Sequence, residues 1–327
     1  MSAKKTTLEN EMEKYQNLWN ENYENTLKKI NYSRKQLELD LEHLRQWLRD
    51  QQHLPDCRLK ETDNFLTMYL SGCKGSMETA KRKLDAYYSL RGKTEIYRDR
   101  DPLDVDYRKM SDIWQQIAMP RPTDKGEFIV FTRLSDGIEE IPANPMVLSF
   151  KRTINITEIA LRLHQVTHQL IAIMDFDRYP ASLASTITLS LFRDMNLILE
   201  KMVPFRIAKI ICINVSPMVE FAMNTIVRPL IKTKIRDRFI VTTKGYEELP
   251  KYVDKAILPK DMQGDYPLTF KEINDAWNEY EIENRDWFIN ELSEQVDETK
   301  RIDSGVKYII EDNLFGVQGT LKKLVVD

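Results

Sequence analysis

Residues 203–238 read VPFRIAKIICINVSPMVEFAMNTIVRPLIKTKIRDR. Val203 to Asn214 is an apolar segment of strand length, which Pro217 ends. Met218 to Leu230 then carries apolar residues at helical spacing, and a basic run, KTKIRDR at 232–238, follows at once. Arg206, Lys209, Arg228, Lys232, Lys234, Arg236 and Arg238 are opposed in this stretch only by Glu220 and Asp237, in a chain of 327 residues whose formal net charge is −3. The basicity is local. Mild overall acidity argues against a nucleic-acid partner, which calls for an extended basic face.

The pattern around this stretch alternates. Glu127 to Leu134 reads as a strand, Thr153 to Gln165 as a helix, Gln169 to Phe176 as a buried strand and Pro180 to Met202 as a long helix. The strand at Ile207 to Asn214, the helix after Pro217 and a short strand at Arg238 to Thr242 continue the series. Short apolar strands separated by helices predict an α/β layer structure with a largely parallel sheet. Before it the chain reads as helical. Tyr15, Leu18, Trp19, Tyr23, Leu27 and Ile30 predict one amphipathic helix within residues 1–35, and Leu37 to Leu48 a second. Asp63 is placed to cap a third, which the turn SGCKGS at 71–76 stops, and Met77 to Arg91 makes a fourth. DRDP at 99–102 and MPRPTD at 119–124 mark a junction between the two parts. Residues 263–327 hold 15 acids and 7 bases, with a helix over Phe270 to Leu292 and an irregular tail, and read as a covering segment.

With 42% hydrophobic and 30% charged residues the composition is that of a soluble globular protein. Cys57, Cys73 and Cys212 are sparse and form no CxxC pair, so reduced thiols are expected. The N-terminus MSAKKTTLENEMEKY has no apolar core of the kind a signal peptide needs, and no apolar run approaches the ~18 residues of a membrane span. These features predict a cytosolic protein.

Catalytic patterns are missing. Gly72-Cys73-Lys74-Gly75-Ser76 lacks the spacing of a phosphate loop and joins two helices, and neither GxGxxG nor GxSxG occurs. His164 and His168 stand four apart, but as HQVTH without the intervening Glu of a zinc protease, and with no third ligand. Asp175 and Asp177 read as a strand end capping a turn. No enzyme activity, cofactor or metal is therefore expected.

The helix after Pro217 is apolar nearly all round, through Met218, Val219, Phe221, Ala222, Met223, Ile226, Val227 and Leu230. Such a helix is buried on all sides or touches something other than water, so it reads as core or as the wall or lid of a lipid pocket. Methionines suit an adaptable wall. Lys234 and Arg238 would share a helical face, and the basic run reads either as a solvated surface or as a seeker of phosphate.

From about Leu44 to Gly264 the chain resembles the CRAL-TRIO lipid-transfer proteins, the group that includes retinaldehyde-binding protein, α-tocopherol transfer protein and the yeast phosphatidylinositol transfer protein. The matching segments are LRQWLRD at 44–50, FLTMYLSGCKGSMETAKRKLDAYYSLR at 65–91, IAIMDFD at 171–177, VPFRIAKIICIN at 203–214, VRPLIKTKIRDRF at 227–239 and ILPKDMQGD ending at Asp265. NLFGVQGTLKKLVVD at 313–327 is similar to the closing signature of insect members. Departures include Val203 where the family often has an aromatic, Ala208 where it has a base, and an extra residue between Asn214 and Pro217.

The resemblance implies an N-terminal helical extension (1–35), a helical module (36–93), a linker (94–124), a lipid-binding domain (125–265) and an acidic C-terminal extension (266–327). It implies a mixed sheet flanked by helices and an apolar cavity closed by a gate helix over about Pro217 to Leu230. The ligand would meet Ile171, Ile173, Leu183, Ile187, Leu191, Ile211, Ile213, Val219, Phe221, Met223, Ile226, Val227 and Leu230. Phosphoinositide headgroups would meet Lys74, Arg206, Lys234 and Arg238. The implied function is that of a monomeric cytosolic carrier, transiently at membranes, for one isoprenoid such as tocopherol, a retinoid or a carotenoid, or another lipid. A phosphoinositide-sensing module without transfer activity is the alternative.

Overall fold

The computed structural model describes residues 6–135, 141–163, 169–180, 183, 186, 188–230, 236–291 and 294–302, with the backbone alone at 189, 192, 222, 226, 227 and 230. Where one helix was expected within residues 1–35, the described residues form two before α3: α1 (Thr7–Lys14) and α2 (Gln16–Lys29). Thr6 and Glu9 cap α1 reciprocally, the Thr6 hydroxyl accepting from the Glu9 amide at 3.1 Å and the Glu9 carboxylate from the Thr6 amide at 2.9 Å. Next come α3 (Arg34–Asp50), α4 (Asp63–Gly72) and α5 (Met77–Arg91). Thr62, one residue before the expected Asp63, caps α4. Phe65, Tyr69, Tyr87 and Tyr88 stack between α4 and α5, with ring centroids 5.0 to 6.5 Å apart.

Residues 94–124 are not a linker. They hold α6 (Val105–Ile113) and β1 (Trp114–Ala118), the first strand of the sheet. Every β1 residue is buried, Gln115 and Gln116 included, so the strand shows no apolar–polar alternation in the sequence. Its glutamine is satisfied internally. The Gln116 amide donates to Ser149 Oγ at 2.6 Å and accepts from the Thr153 hydroxyl at 2.8 Å.

The sheet runs in the order β1, β2 (Phe128–Leu134), β3 (Gln169–Asp175), β4 (Arg206–Ile213) and β5 (Phe239–Val241). β1 is antiparallel to β2, and the other neighbours are parallel, as expected of a largely parallel sheet. The crossover helices pack on one face. α7 (Pro145–Leu163) begins well before the expected Thr153. The long helix expected over Pro180 to Met202 is α8 (Leu189–Leu197) with a wider π-helical turn, Ile198–Met202. After Pro217 come α9 (Pro217–Ala222), a π-helical turn Met223–Val227 and a final turn Arg228–Leu230.

The terminal segments belong to the main core. In α10 (Phe270–Glu283), the Phe270 ring meets Phe131 of β2 at 5.4 Å and the Trp277 indole N–H donates to the Ala118 carbonyl at 2.9 Å. The Trp19 indole of α2 donates to the Pro120 carbonyl at 2.8 Å, and the Tyr266 hydroxyl to the Glu11 carboxylate at 2.9 Å. The segment expected merely to cover the fold thus helps close the sheet face opposite the crossover helices. Among the described residues no helix is long and apolar enough to cross a membrane, and the three cysteines are free.

Candidate functional site

Between the sheet, α7 and the helical module lies a cavity of about 240 Å³. Val130, Thr132, Leu170, Ala172, Met174, Ile207 and Ile210 form its sheet wall. Phe65, Tyr69 and Tyr87 face it from α4 and α5, while Met195, Ile198, Leu199 and Val203 to Phe205 close it from the segment leading into β4. Its polar lining groups largely bond to one another. Beside the Gln116, Ser149 and Thr153 set, the Thr157 hydroxyl donates to the Thr153 carbonyl at 2.7 Å, and Glu158 accepts from the Tyr87 hydroxyl at 2.7 Å and from Arg100 at 2.9 Å. Burial pushes the Tyr69, Tyr87 and Tyr97 phenols up, so they are neutral. The Trp114 indole N–H is an exception, buried without a hydrogen-bond partner among the described residues, its ring edge-on to Tyr179 at 5.6 Å. An apolar space of this order stays dry and accepts hydrophobic guests.

The lining departs from the expected one in an orderly way. Ile173 lines the cavity, but Ile171, Ile211 and Ile213 are buried away from it, and Leu170, Ala172 and Ile210, beside the first two, line it instead. The register explains this. Leu170 pairs with Ile207 and Ile171 with Lys209, so Ala208 is an extra residue, a bulge that puts Ile207 and Ile210 on the same face. Counting in twos along β4 therefore selects the wrong side after Ala208. Leu183 and Leu191 are buried but do not line the cavity. Ile187 lies outside the described residues, as do the side chains of Ile226, Val227 and Leu230.

No described side chain of Pro217–Leu230 lines the cavity. Val219 and Met223 pack on Cys212, Val215 and Phe239, beside Met174 and Ile210, whereas Met218 and Phe221 point outward at 71% and 69% exposure. The expectation of a wall or lid built directly on this helix is thus corrected for its described part. The wall toward the outside is Leu199 to Phe205. Among residues missed in the sequence, Trp114 and Gln116 lay in the supposed linker. Met146, Ser149 and Phe150 lay before the predicted start of α7, though Pro145 in its first turn is a helix-start signal.

A second pocket, of about 610 Å³, opens on the outer side of that wall. It brings together three of the four expected basic residues, Lys74, Arg206 and Arg238, all exposed. Lys74 sits at φ +56° in the turn joining α4 and α5, and Arg238 donates to the Ile207 carbonyl at 2.6 Å. Lys234 lies outside the described residues. Lys83 of α5, which the sequence did not single out, also lines this pocket. Burial lowers its ammonium, and its Nζ donates to the Glu200 and Val203 carbonyls at 2.9 and 2.8 Å. Burial also raises the Cys73 thiol to about 11, against the pull of Lys83, Arg82 and Arg206. None of the described lining residues is acidic. Leu199, Pro204, Phe205 and Ile207 line both pockets.

The pair Asp175 and Asp177 forms a turn. Asp175 accepts from the Asp177 amide at 2.9 Å, from Asn214 at 2.8 Å and from the Tyr246 hydroxyl at 2.6 Å. His164 and His168 lie outside the described residues.

A five-stranded α/β sheet enclosing an apolar cavity behind a helical module defines a class of hydrophobic-ligand binders, and the comparisons with known proteins agree. Residues 122–264 match the family model of the CRAL/TRIO domain, and residues 33–107 match the model described as Pinta-like, UBA domain. The chain thus contains a CRAL/TRIO domain over residues 122–264. Among solved structures, the crystal structure of Sfh5 is similar to it, at 10% sequence identity over 78% of this chain and 98% of that one, with a TM-score of 0.45. No curated protein matches the chain.

Proposed function

We propose that the protein is a non-enzymatic carrier that holds one hydrophobic molecule, an isoprenoid or another lipid, in the cavity and transfers it between membranes. Lys74, Arg206 and Arg238, with Lys234, dock it to phosphoinositide headgroups. One observation supports this most: an almost wholly apolar cavity shares a wall with a basic pocket that no described acid lines. Burying apolar ligand surface contributes roughly 25 cal/mol per Å², enough to hold a molecule that water rejects. Unopposed cations at the pocket attract anionic lipid.

The test is to extract the purified protein with organic solvent and identify the co-purified lipid by mass spectrometry. Transfer of that lipid between vesicles is then followed. Protein that is empty and takes up no retinoid, tocopherol, sterol or phosphoinositide overturns the carrier reading. Phosphoinositide binding without transfer would instead support a sensing module.

A further inference from the structure

Most polar groups facing the cavity are matched, and one donor is left over. Gln116 donates to Ser149 Oγ and accepts from the Thr153 hydroxyl, the Thr157 and Tyr69 hydroxyls donate to the Thr153 and Met202 carbonyls, and Glu158 accepts from Tyr87. The exception is Trp114. It lines the cavity at 8% exposure, and among the described lining residues its indole N–H is the one buried side-chain polar group without a hydrogen-bond partner. Positions two apart on a strand share a face, so Trp114 projects from β1 on the side of Gln116, whose amide reaches Ser149 of α7 across the cavity face. The charge of the lining is equally one-sided. None of the described lining residues is a lysine, arginine or histidine, and the Glu158 carboxylate is already held by Arg100, which does not line the cavity.

We propose that Trp114 is a specificity-determining residue of the cavity: it selects a neutral hydrophobic molecule with a buried acceptor oxygen, an aldehyde, ketone, ester or alcohol, which takes the indole N–H. A buried donor left unpaired has lost its bond to water and gained none, and a pure hydrocarbon leaves it in that state. An acceptor oxygen restores the bond inside the cavity. A carboxylate would accept it too, but no described lining cation compensates the charge, and an unpaired charge costs far more to bury than a neutral oxygen. Hydrocarbon therefore enters without the bond, and a fatty-acid anion is turned away. The indole ranks occupants of one shape by a single atom.

This rests on the proposed carrier function, and the experiment separates the two. The full-length protein is loaded with diphenylhexatriene, an uncharged hydrocarbon that fluoresces only out of water, and the dye is displaced by three ligands of one shape. These are farnesylacetone, its methylene analogue, in which CH2 replaces the carbonyl oxygen, and the farnesylacetate anion, in which a charged oxygen replaces the terminal methyl. Farnesylacetone should compete about fivefold better than the methylene analogue, the worth of one net hydrogen bond. It should compete about tenfold or more better than farnesylacetate at neutral pH, because the anion is buried unpaired. Trp114→Phe keeps an aromatic ring and removes the N–H, so it should bring the ketone and the methylene analogue to within about twofold of each other. Only their ratio is read, so a general loosening of the cavity does not enter. The carbonyl stretch of bound farnesylacetone should lie below its frequency in hexane and move back toward it in Trp114→Phe, a readout that altered packing alone would not move. Equal competition by ketone and methylene analogue in the wild type overturns the inference while leaving the carrier reading standing, and this arm needs no variant. A preference that survives in Trp114→Phe overturns the role of Trp114, and farnesylacetate that competes as well as the ketone overturns the exclusion of charge. Failure of the dye and of both neutral ligands to enter the protein strikes at the carrier reading itself and removes the inference with it.

Discussion

Two groups of cations flank the cavity, and they are built oppositely. On the inner side Arg100 donates to Glu158 at 2.9 Å, and Arg162 is held by Glu61 at 2.9 and 3.0 Å, its guanidinium over the Phe65 and Trp287 rings at 4.0 and 4.6 Å. On the outer side Lys74, Lys83, Arg206 and Arg238 surround a pocket lined by no described acid. Inside, each guanidinium has been taken out of water, which is tolerable only because a carboxylate is hydrogen-bonded to it. Outside, Lys74, Arg206 and Arg238 keep contact with solvent, so they need no internal partner and their field reaches beyond the protein. A basic cluster is informative about partners to the extent that the protein itself leaves it uncompensated.

The largest effect should come from unbalancing the inner group. Glu158→Leu leaves Arg100 buried without its carboxylate and should cost about 3–5 kcal/mol in urea unfolding. The pH dependence has a definite sign. Burial alone would raise the Glu158 carboxyl, but the Arg100 and Arg162 guanidiniums and the Tyr87 hydroxyl bring it below its ordinary value. A carboxyl depressed in the fold contributes stability that is present above its unfolded value, about 4.3, and is lost as pH falls through the folded value. The wild type should lose stability over that acid range more steeply than the variant. A Glu158→Leu cost no greater than that of a surface substitution would erase the contrast between the two groups. Next in size, Gly72→Ala forces a methyl onto the Pro204 carbonyl and should lower stability by about 1–3 kcal/mol, as overpacking does, with a lowered thermal midpoint as the readout.

The two faces of β3 extend the contrast from charge to packing, and they bear on how much was legible beforehand. The periodicity of Ile207 to Asn214 and Gln169 to Phe176 was enough to identify the strands and their parallel arrangement. It did not reveal the bulge at Ala208, because a bulge leaves composition unchanged and alters only the pairing. Nor did it reveal β1, where Gln115, which accepts from Arg133, and Gln116, satisfied by Ser149 and Thr153, imitate a polar linker. Ile171→Val, on the closed face, should cost about 0.5–1.5 kcal/mol and leave hydrocarbon uptake unchanged. Ala172→Leu, one residue along, extends into the cavity and should block uptake of diphenylhexatriene with a smaller change in stability. Equal losses of uptake in both variants would mean that the face assignment is wrong.

The basic pocket was legible in part for a different reason. Lys74, Arg206 and Arg238 come from three separate segments, and only a resemblance between whole segments could group them, since no spacing within one element does so. Lys83 escaped because its position depends on the Glu200 and Val203 carbonyls, and a backbone acceptor leaves no mark in a sequence. The smallest predicted effect on stability is also the most specific for function. Arg206→Ala should leave the unfolding midpoint where it is, since Arg206 is exposed, yet weaken binding to phosphoinositide-containing vesicles by about fivefold, the worth of about 1 kcal/mol for one basic residue near an anionic surface. The loss should shrink as salt rises, because exposed charges are screened. Lys28→Ala removes an equally exposed charge from α2, outside the pocket. Its vesicle binding should match the wild type; an equal loss in both variants would mean that the membrane responds to the total charge of the protein and not to the pocket beside the cavity.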